Sequence, residues 1–280
     1  MLRYWIFILS ALFLLIVPTV QSAPDGYRLH RDLTYSIRGN LSLKADVYMP
    51  AKPGRYPGII TLHSGSWSRG SKARMSPLAA LLSENGFVVM NINYRLAPKY
   101  KFPAALIDAR SALAWFRSNA YRFGLDKNRI AIYGYSAGAH LALMLALSTE
   151  GTGPGLYGRV QAVIAGAAPS DLTKLPDSPT LRKLIGSSRA ESIELYKRAS
   201  PTFHVSRDDP PTLLYHGRFD WVIPVYQSRR LFQLLKESGV TVELRELNTG
   251  HGTTYFNRTT VLEHVLPFLK RILYRRNLRK

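Results

Sequence analysis

Cysteine is missing from all 280 residues. That absence excludes disulfides, thiolate metal sites and a thiol nucleophile, so stability must come from a packed core and covalent chemistry from another side chain. It also removes the thiol acceptor for a lipid anchor beside an N-terminal cleavage point. Acidic residues are scarce, with 18 Asp and Glu against 38 Lys and Arg, giving a formal charge of +20. No pair of histidines has zinc-ligand spacing with an acidic partner, which argues against a metal site, and no motif calls for a cofactor. Nucleic-acid-binding motifs are absent too, so the basic charge does not point to DNA or RNA. It reads either as a solvated surface or as attraction to anionic lipid headgroups, cell-wall polymers or an acidic substrate. Lys270 to Lys280 is the densest cluster. Repeats, low-complexity tracts and flexible linkers are missing as well, and 46% hydrophobic residues are ample for one core.

The first residues form a three-part segment: Arg3, the apolar run Trp5 to Val17, then Pro18 and the small residues Ser22 and Ala23. The run is short of the roughly 20 residues a bilayer span needs, and the layout is that of a secretory signal peptide. Cleavage is expected after Ser22, with Val20 and Ser22 before the cut; the alternative is an uncleaved anchor from Tyr4 to Val20. Removing residues 1–22 takes away one cation, Arg3, from the +20 and leaves +19. Either route puts residues 23–280, read as one domain, outside the cytoplasm.

Beyond that segment the chain reads as an antiparallel hairpin, Leu33 to Ile37 and Leu43 to Met49, turning at Arg38, Gly39 and Asn40. Pro50 to Pro57 punctuates, and apolar strands then alternate with helices. Gly58 to Leu62 precedes Met75 to Asn85, and Phe87 to Asn93 precedes Pro103 to Phe123. Ile130 to Tyr133 precedes Ala137 to Leu147, and Val160 to Ala165 precedes an irregular insert at about 171–210. Thr212 to Tyr215 precedes Val225 to Ser238, and Val240 to Leu247 precedes Thr260 to Tyr274. Uniformly apolar strands alternating with helices predict an α/β fold with a mainly parallel sheet covered on both faces.

Gly134-Tyr135-Ser136-Ala137-Gly138 is a G-x-S-x-G motif between a strand and a helix, where glycines permit the sharp turn that lifts a serine hydroxyl above a sheet edge. A serine needs a base, and the base an orienting carboxylate, later in the chain. Asp220 follows the strand Thr212 to Tyr215, with Asp171 as rival; His251 follows the last strand, with His264 weaker because it falls in a helical pattern. His140, His204 and His216 read as structural. The candidate sites all lie at the carboxyl ends of strands, where open α/β sheets place their sites. Donors to a developing oxyanion are expected from the backbone of Ala137 and from the loop His63-Ser64-Gly65-Ser66-Trp67.

At these residues the chain resembles the carboxylesterase and lipase branch of the α/β-hydrolases, akin to hormone-sensitive lipases and bacterial acetyl- or feruloyl-esterase-like proteins. The likeness is carried by His63 to Trp67, by Asn93-Tyr94-Arg95-Leu96-Ala97-Pro98 and by Phe102 to Ala105. It continues through Gly134 to Gly138, His140, Ser200-Pro201, Pro210 to Leu214, Asp220 and His251. It implies a triad of Ser136, Asp220 and His251 and oxyanion donors at Gly65, Ser66 and Ala137. Ser64 and Ser66 replace family glycines, so a left-handed backbone at either would be strained, and their side chains would narrow the site. The expected activity is hydrolysis of a small carboxylic ester, with modest acyl groups, through an acyl-enzyme on Ser136. The alternatives are a peptidase or amidase of the same fold, which no N-terminal propeller supports, and a silent binding protein with a basic surface.

Overall fold

The computed structural model describes residues 21–22, 26–149, 159–255 and 257–274. The apolar segment expected to direct export lies outside the described residues apart from its last two, and so do residues 275–280 of the basic tail. Among the described residues no helix is long and apolar enough to cross a membrane.

Among the described residues nine strands form one sheet: β1 (Gln21–Ser22), β2 (Tyr27–Arg38), β3 (Leu41–Pro50), β4 (Tyr56–Leu62), β5 (Val88–Ile92), β6 (Leu125–Tyr135), β7 (Ala162–Gly166), β8 (Thr212–Gly217) and β9 (Val242–Leu247). Their order is β1-β2-β3-β5-β4-β6-β7-β8-β9. The expected hairpin is β2–β3: Arg38 pairs with Leu41 across Gly39 and Asn40, and Gly39 takes φ 57. From β5 onward every neighbour is parallel, as the apolar, alternating pattern predicts.

The strands divide their side chains with period two between two cores. Ile60, Leu62, Ile130 and Ile132 face one, while Ile59, Ala131, Tyr133 and Tyr135 face the other. The connecting helices are α1 (Ser76–Glu84), α2 (Ala104–Ser118), α3 (Ala120–Phe123), α4 (Ala137–Leu147), α5 (Pro179–Ile185), α6 (Ile193–Arg198), α7 (Tyr226–Glu237), α8 (His251–Tyr255), α9 (Arg258–Thr260) and α10 (Leu266–Leu273). The first core takes α2, α4 and α7 through Leu113, Leu141 and Leu231. The second takes α1 and α10 through Leu82 and Phe268. Helix α4 is buried all round, so it lacks the one-sided pattern of a surface helix.

Several elements differ from the sequence expectation: β2 begins at Tyr27 and β6 at Leu125, earlier than Leu33 and Ile130, and α8 is an addition. The helix expected over Pro103 to Phe123 breaks at Asn119, whose side-chain amide donates to Trp115 O at 2.9 Å. Thr260 to Tyr274 divides into α9, a wide turn at Val261–Val265, and α10. The stretch 171–210 carries the short helices α5 and α6.

Candidate active site

The carboxyl ends of β4, β6, β7 and β8 lie level, with Leu62 beside Gly134, Gly134 beside Ala165 and Gly166 beside Tyr215. At this edge β6 ends and α4 begins within one residue, Ser136, which takes φ 54 and ψ −120. A non-glycine residue in that region stores strain and persists only where its surroundings fix it. The fixing contacts are a bond from Ser136 N to Gly166 O at 2.8 Å and one from His140 N to Ser136 O at 3.0 Å. The motif's glycines have steric causes. A Cβ on Gly134 would sit 2.0 Å from Gly138 O, and one on Gly138 would sit 2.1 Å from Leu62 O. The turn therefore closes only with glycine at both places.

Ser136 Oγ lies 3.1 Å from His251 Nε2, and His251 Nδ1 lies 2.6 Å from Asp220 Oδ2. The structure thus brings together the three residues that the sequence separates by up to 115 positions. Ser136 is 8% exposed. The carboxylate of Asp220 is saturated: Oδ1 accepts from the amides of Val222 and Ile223 at 2.9 and 2.8 Å, and Oδ2 also faces His216 Nε2 at 3.3 Å. Burial alone would raise the Asp220 pKa, yet hydrogen bonds from His216, His251 and the Ile223 amide outweigh it and hold the carboxyl well below its usual range. Asp220 is a permanent anion at neutral pH.

The rival residues are elsewhere. Asp171 bonds Thr173 N at 3.0 Å and pairs with Arg230 at 3.4 Å. His264 lies in the wide turn after α9. His140 and His204 meet backbone carbonyls at Ala199 and Arg198. His216 reads from sequence as structural, but it is a direct neighbour of the Asp220 carboxylate. Its Nδ1 faces Ser228 Oγ at 2.7 Å and its Nε2 faces Ile223 O at 2.8 Å, so Nε2 carries the ring N–H, which donates to Ile223 O and also faces Asp220 Oδ2 at 3.3 Å. The one signal that marked it is spacing, four residues before Asp220 at a strand end. Tyr135 is a second such residue, donating from its hydroxyl to His251 O at 2.5 Å.

The loop after β4 supplies the other half. Gly65 has φ 135, and a Cβ there would lie 1.9 Å from Arg69 O. Ser66 and Trp67 follow with φ 53 and 57. The strain expected at Ser66 is present; Ser64 has no positive φ and is relaxed. Trp67 Nε1 donates to His140 Nδ1 at 3.1 Å, which ties the loop to α4. His63, at the loop's start, stacks on Tyr94 with ring centroids 4.1 Å apart and donates from Nδ1 to Ser64 O at 2.8 Å. Burial pushes the pKa of both histidines down to about 4, so both are neutral. Ala137 is the first residue of α4, so its N–H has no partner within the helix. The start of the loop lies against α4, where a Cβ on Gly138 would sit 2.7 Å from His63 O.

Comparison with known proteins places the chain among esterases of known fold. The chain is 35% identical over 208 residues to the probable carboxylic ester hydrolase LipM of Mycobacterium tuberculosis, covering 68% of this chain and 48% of that protein. It is 35% identical over 243 residues to esterase LipQ of the same organism, covering 80% and 58%. The chain spans about half the length of the curated relatives it matches. Among solved structures it resembles the thermophilic esterase Est2 of Thermogutta terrifontis with a TM-score of 0.77 and 26% identity, covering 92% of this chain and 96% of that one. The same Thermogutta esterase is known in a form phosphorylated by paraoxon. The BD-FAE family profile matches residues 45–235, and the chain is a member of that family, with the α/β-hydrolase fold of its esterase relatives.

Proposed function

We propose that the protein is a serine hydrolase that cleaves carboxylic esters. The observation that carries the reading is the continuous hydrogen-bonded path from Ser136 Oγ through His251 to Asp220, built on a strained elbow. His251 Nε2 takes the Ser136 proton as Oγ bonds the ester carbonyl carbon, and Asp220 stabilises the imidazolium. The carbonyl oxygen becomes an anion facing the N–H groups of Ala137, Gly65 and Ser66. Collapse breaks the bond to the alcohol, which leaves with the proton from His251. Water, deprotonated by the same imidazole, then attacks the acyl-enzyme and frees the acid and Ser136.

Acyl groups are small in this reading. Ser66 stands where relatives of this type carry glycine, and its side chain takes up space that a larger acyl group would need. Ser22 closes a signal segment, whose removal takes the two-residue edge strand β1 with it and leaves β2 at the edge. The mature chain works outside the cytoplasm; the apolar run at residues 5–17 with a single preceding cation supports this. The basic surface draws the protein toward anionic membranes or cell-wall polymers.

Fluorophosphonate labelling of the purified protein beside Ser136→Ala, with turnover of nitrophenyl acetate, butyrate and octanoate, is the test. Labelling that vanishes in the variant, and turnover that falls with acyl length, are expected. A wild-type protein that neither labels nor turns over any of these esters overturns the proposal.

A further inference from the structure

Phe219, Trp221 and Val222 leave 59%, 93% and 62% of their surfaces exposed. Isolated apolar residues at a surface need no explanation, but three within four positions beside a reactive site do. The turn that carries them is pinned. Asp220, between them, is buried and binds the amides of Val222 and Ile223; Ile223 O meets His216 Nε2 at 2.8 Å; Phe219 N donates to Thr249 O at 3.1 Å. The three side chains are therefore held outward by a turn whose centre is fixed to the triad.

The two loops on one side of Ser136 carry charge of one sign. Residues 63–75 and 93–103, the loops after β4 and β5, contain six Lys and Arg and no Asp or Glu. Lys72 and Arg95 are engaged by Asp46 and Asp108, whereas Arg69, Arg74, Lys99 and Lys101 are exposed. In the sheet order β5 and β4 lie on one side of β6, and β8 lies two strands away on the other. At about 4.8 Å per strand, the apolar turn stands roughly 14 Å from the loop after β4 and roughly 19 Å from the loop after β5, with Ser136 between them.

We infer that this edge docks onto an anionic lipid surface. Phe219, Trp221 and Val222 enter the boundary between headgroups and acyl chains, and Arg69, Arg74, Lys99 and Lys101 meet the headgroup phosphates, which turns Ser136 toward the bilayer. An anionic polymer would be met by the cations alone and would leave the three apolar side chains in water. A lipid interface satisfies both halves of the edge, and the net +20 lengthens the reach of the attraction. The inference rests on the ester-hydrolase reading for its consequence, that esters held at a membrane are the natural substrates.

The test measures sedimentation of the exported, processed protein with phosphatidylcholine vesicles, with and without phosphatidylglycerol, at low and high salt. Wild type is compared with Phe219→Ala/Trp221→Ala and Lys99→Gln/Lys101→Gln, and turnover of soluble nitrophenyl acetate is followed in every sample. The expected result is binding only to the anionic vesicles, lost at high salt, weakened roughly tenfold or more by either double variant, with turnover of the soluble ester unchanged. Tryptophan emission shifts to the blue on binding, and Trp221→Ala abolishes the shift, because Trp67 is buried in the core and Trp115 packs on Phe123 at the far end of α2, away from this edge. Equal binding to neutral vesicles, anionic binding that the aromatic variant leaves intact, or binding to polyglutamate but to no vesicle would each overturn the inference. Retained turnover without vesicle binding defeats the docking alone; vesicle binding without turnover defeats the hydrolase reading alone.

Discussion

The two loops that border Ser136 are held in opposite ways. The turn at residues 218–223 is organised by one anion: Asp220 collects two backbone amides and two imidazoles, and no residue of the turn takes a positive φ. The loop at residues 63–70 is organised by backbone geometry, with Gly65, Ser66 and Trp67 at φ 135, 53 and 57 and two neutral histidines packed around it. One half depends on a charge being present, the other on charges being absent. Substitutions and acid should therefore separate them.

The largest effect is expected from Asp220→Asn, which keeps the shape but cannot orient and stabilise the imidazolium; turnover of a nitrophenyl ester should fall by about 10⁴-fold. A fall of less than about tenfold would remove Asp220 from the path. Gly65→Ala attacks the other half without touching charge. Its Cβ cannot coexist with Arg69 O at 1.9 Å, so the oxyanion donors move and kcat should drop about 10² to 10³-fold, while fluorophosphonate labelling slows and the far-ultraviolet circular dichroism is kept.

Acid sharpens the contrast further. His63 and His140 have folded pKa values near 4 against about 6.5 when unfolded. Between those values the unfolded chain binds more protons, so stability is complete above about pH 6.5 and is lost as pH falls toward 4, by up to about 3 kcal/mol per histidine. Asp220, with its pKa depressed, contributes stability that persists until pH falls below the unfolded value of about 4. Urea unfolding of Ser136→Ala from pH 8 to 4 measures the sum, and His140→Gln should flatten the slope between pH 6.5 and 4. An unchanged slope would mean that His140 is not neutral in the fold.

Smaller effects come from single contacts in the strained loop. Trp67→Phe removes the donor to His140 Nδ1 and leaves a buried acceptor unpaired, which costs about 1–3 kcal/mol in urea unfolding. Ser66→Gly relieves a left-handed residue worth about 1–2 kcal/mol but adds chain entropy worth about 0.5–1 kcal/mol. A gain in Tm of a few degrees or less, with kcat intact, is expected there.

How much of this was legible in the sequence follows the range of the interactions. The elbow at Ser136 and helix α4 are encoded locally, because glycines at 134 and 138 and an apolar run state the turn and the helix in adjacent residues. The pairing of Ser136 with Asp220 and His251 was readable through chain order and strand ends. His216 was not, since its contact with Asp220 depends on how the turn closes and on Ser228 arriving from α7. The positive φ at Trp67 was hidden because it follows from Gly65 and from the anchor at His140, 73 residues away. The break at Asn119 shows a side chain competing for a helical carbonyl, which apolar periodicity does not register. In the stretch after His251, polar residues dilute the pattern, and the wide turn at Val261–Val265 shifts the phase of the helix that follows.

The order of strands in the sheet also sets a sequence of events during synthesis. Ser136 lies near the middle of the chain, whereas His251 arrives only once β9 has joined β8 near its end. A chain folded only as far as β7 can complete the elbow, where Ser136 N meets Gly166 O, and still lack a base. On the proposed chemistry activity appears only when β9 docks on β8 and brings His251 to Ser136, so the order of assembly itself switches the site on.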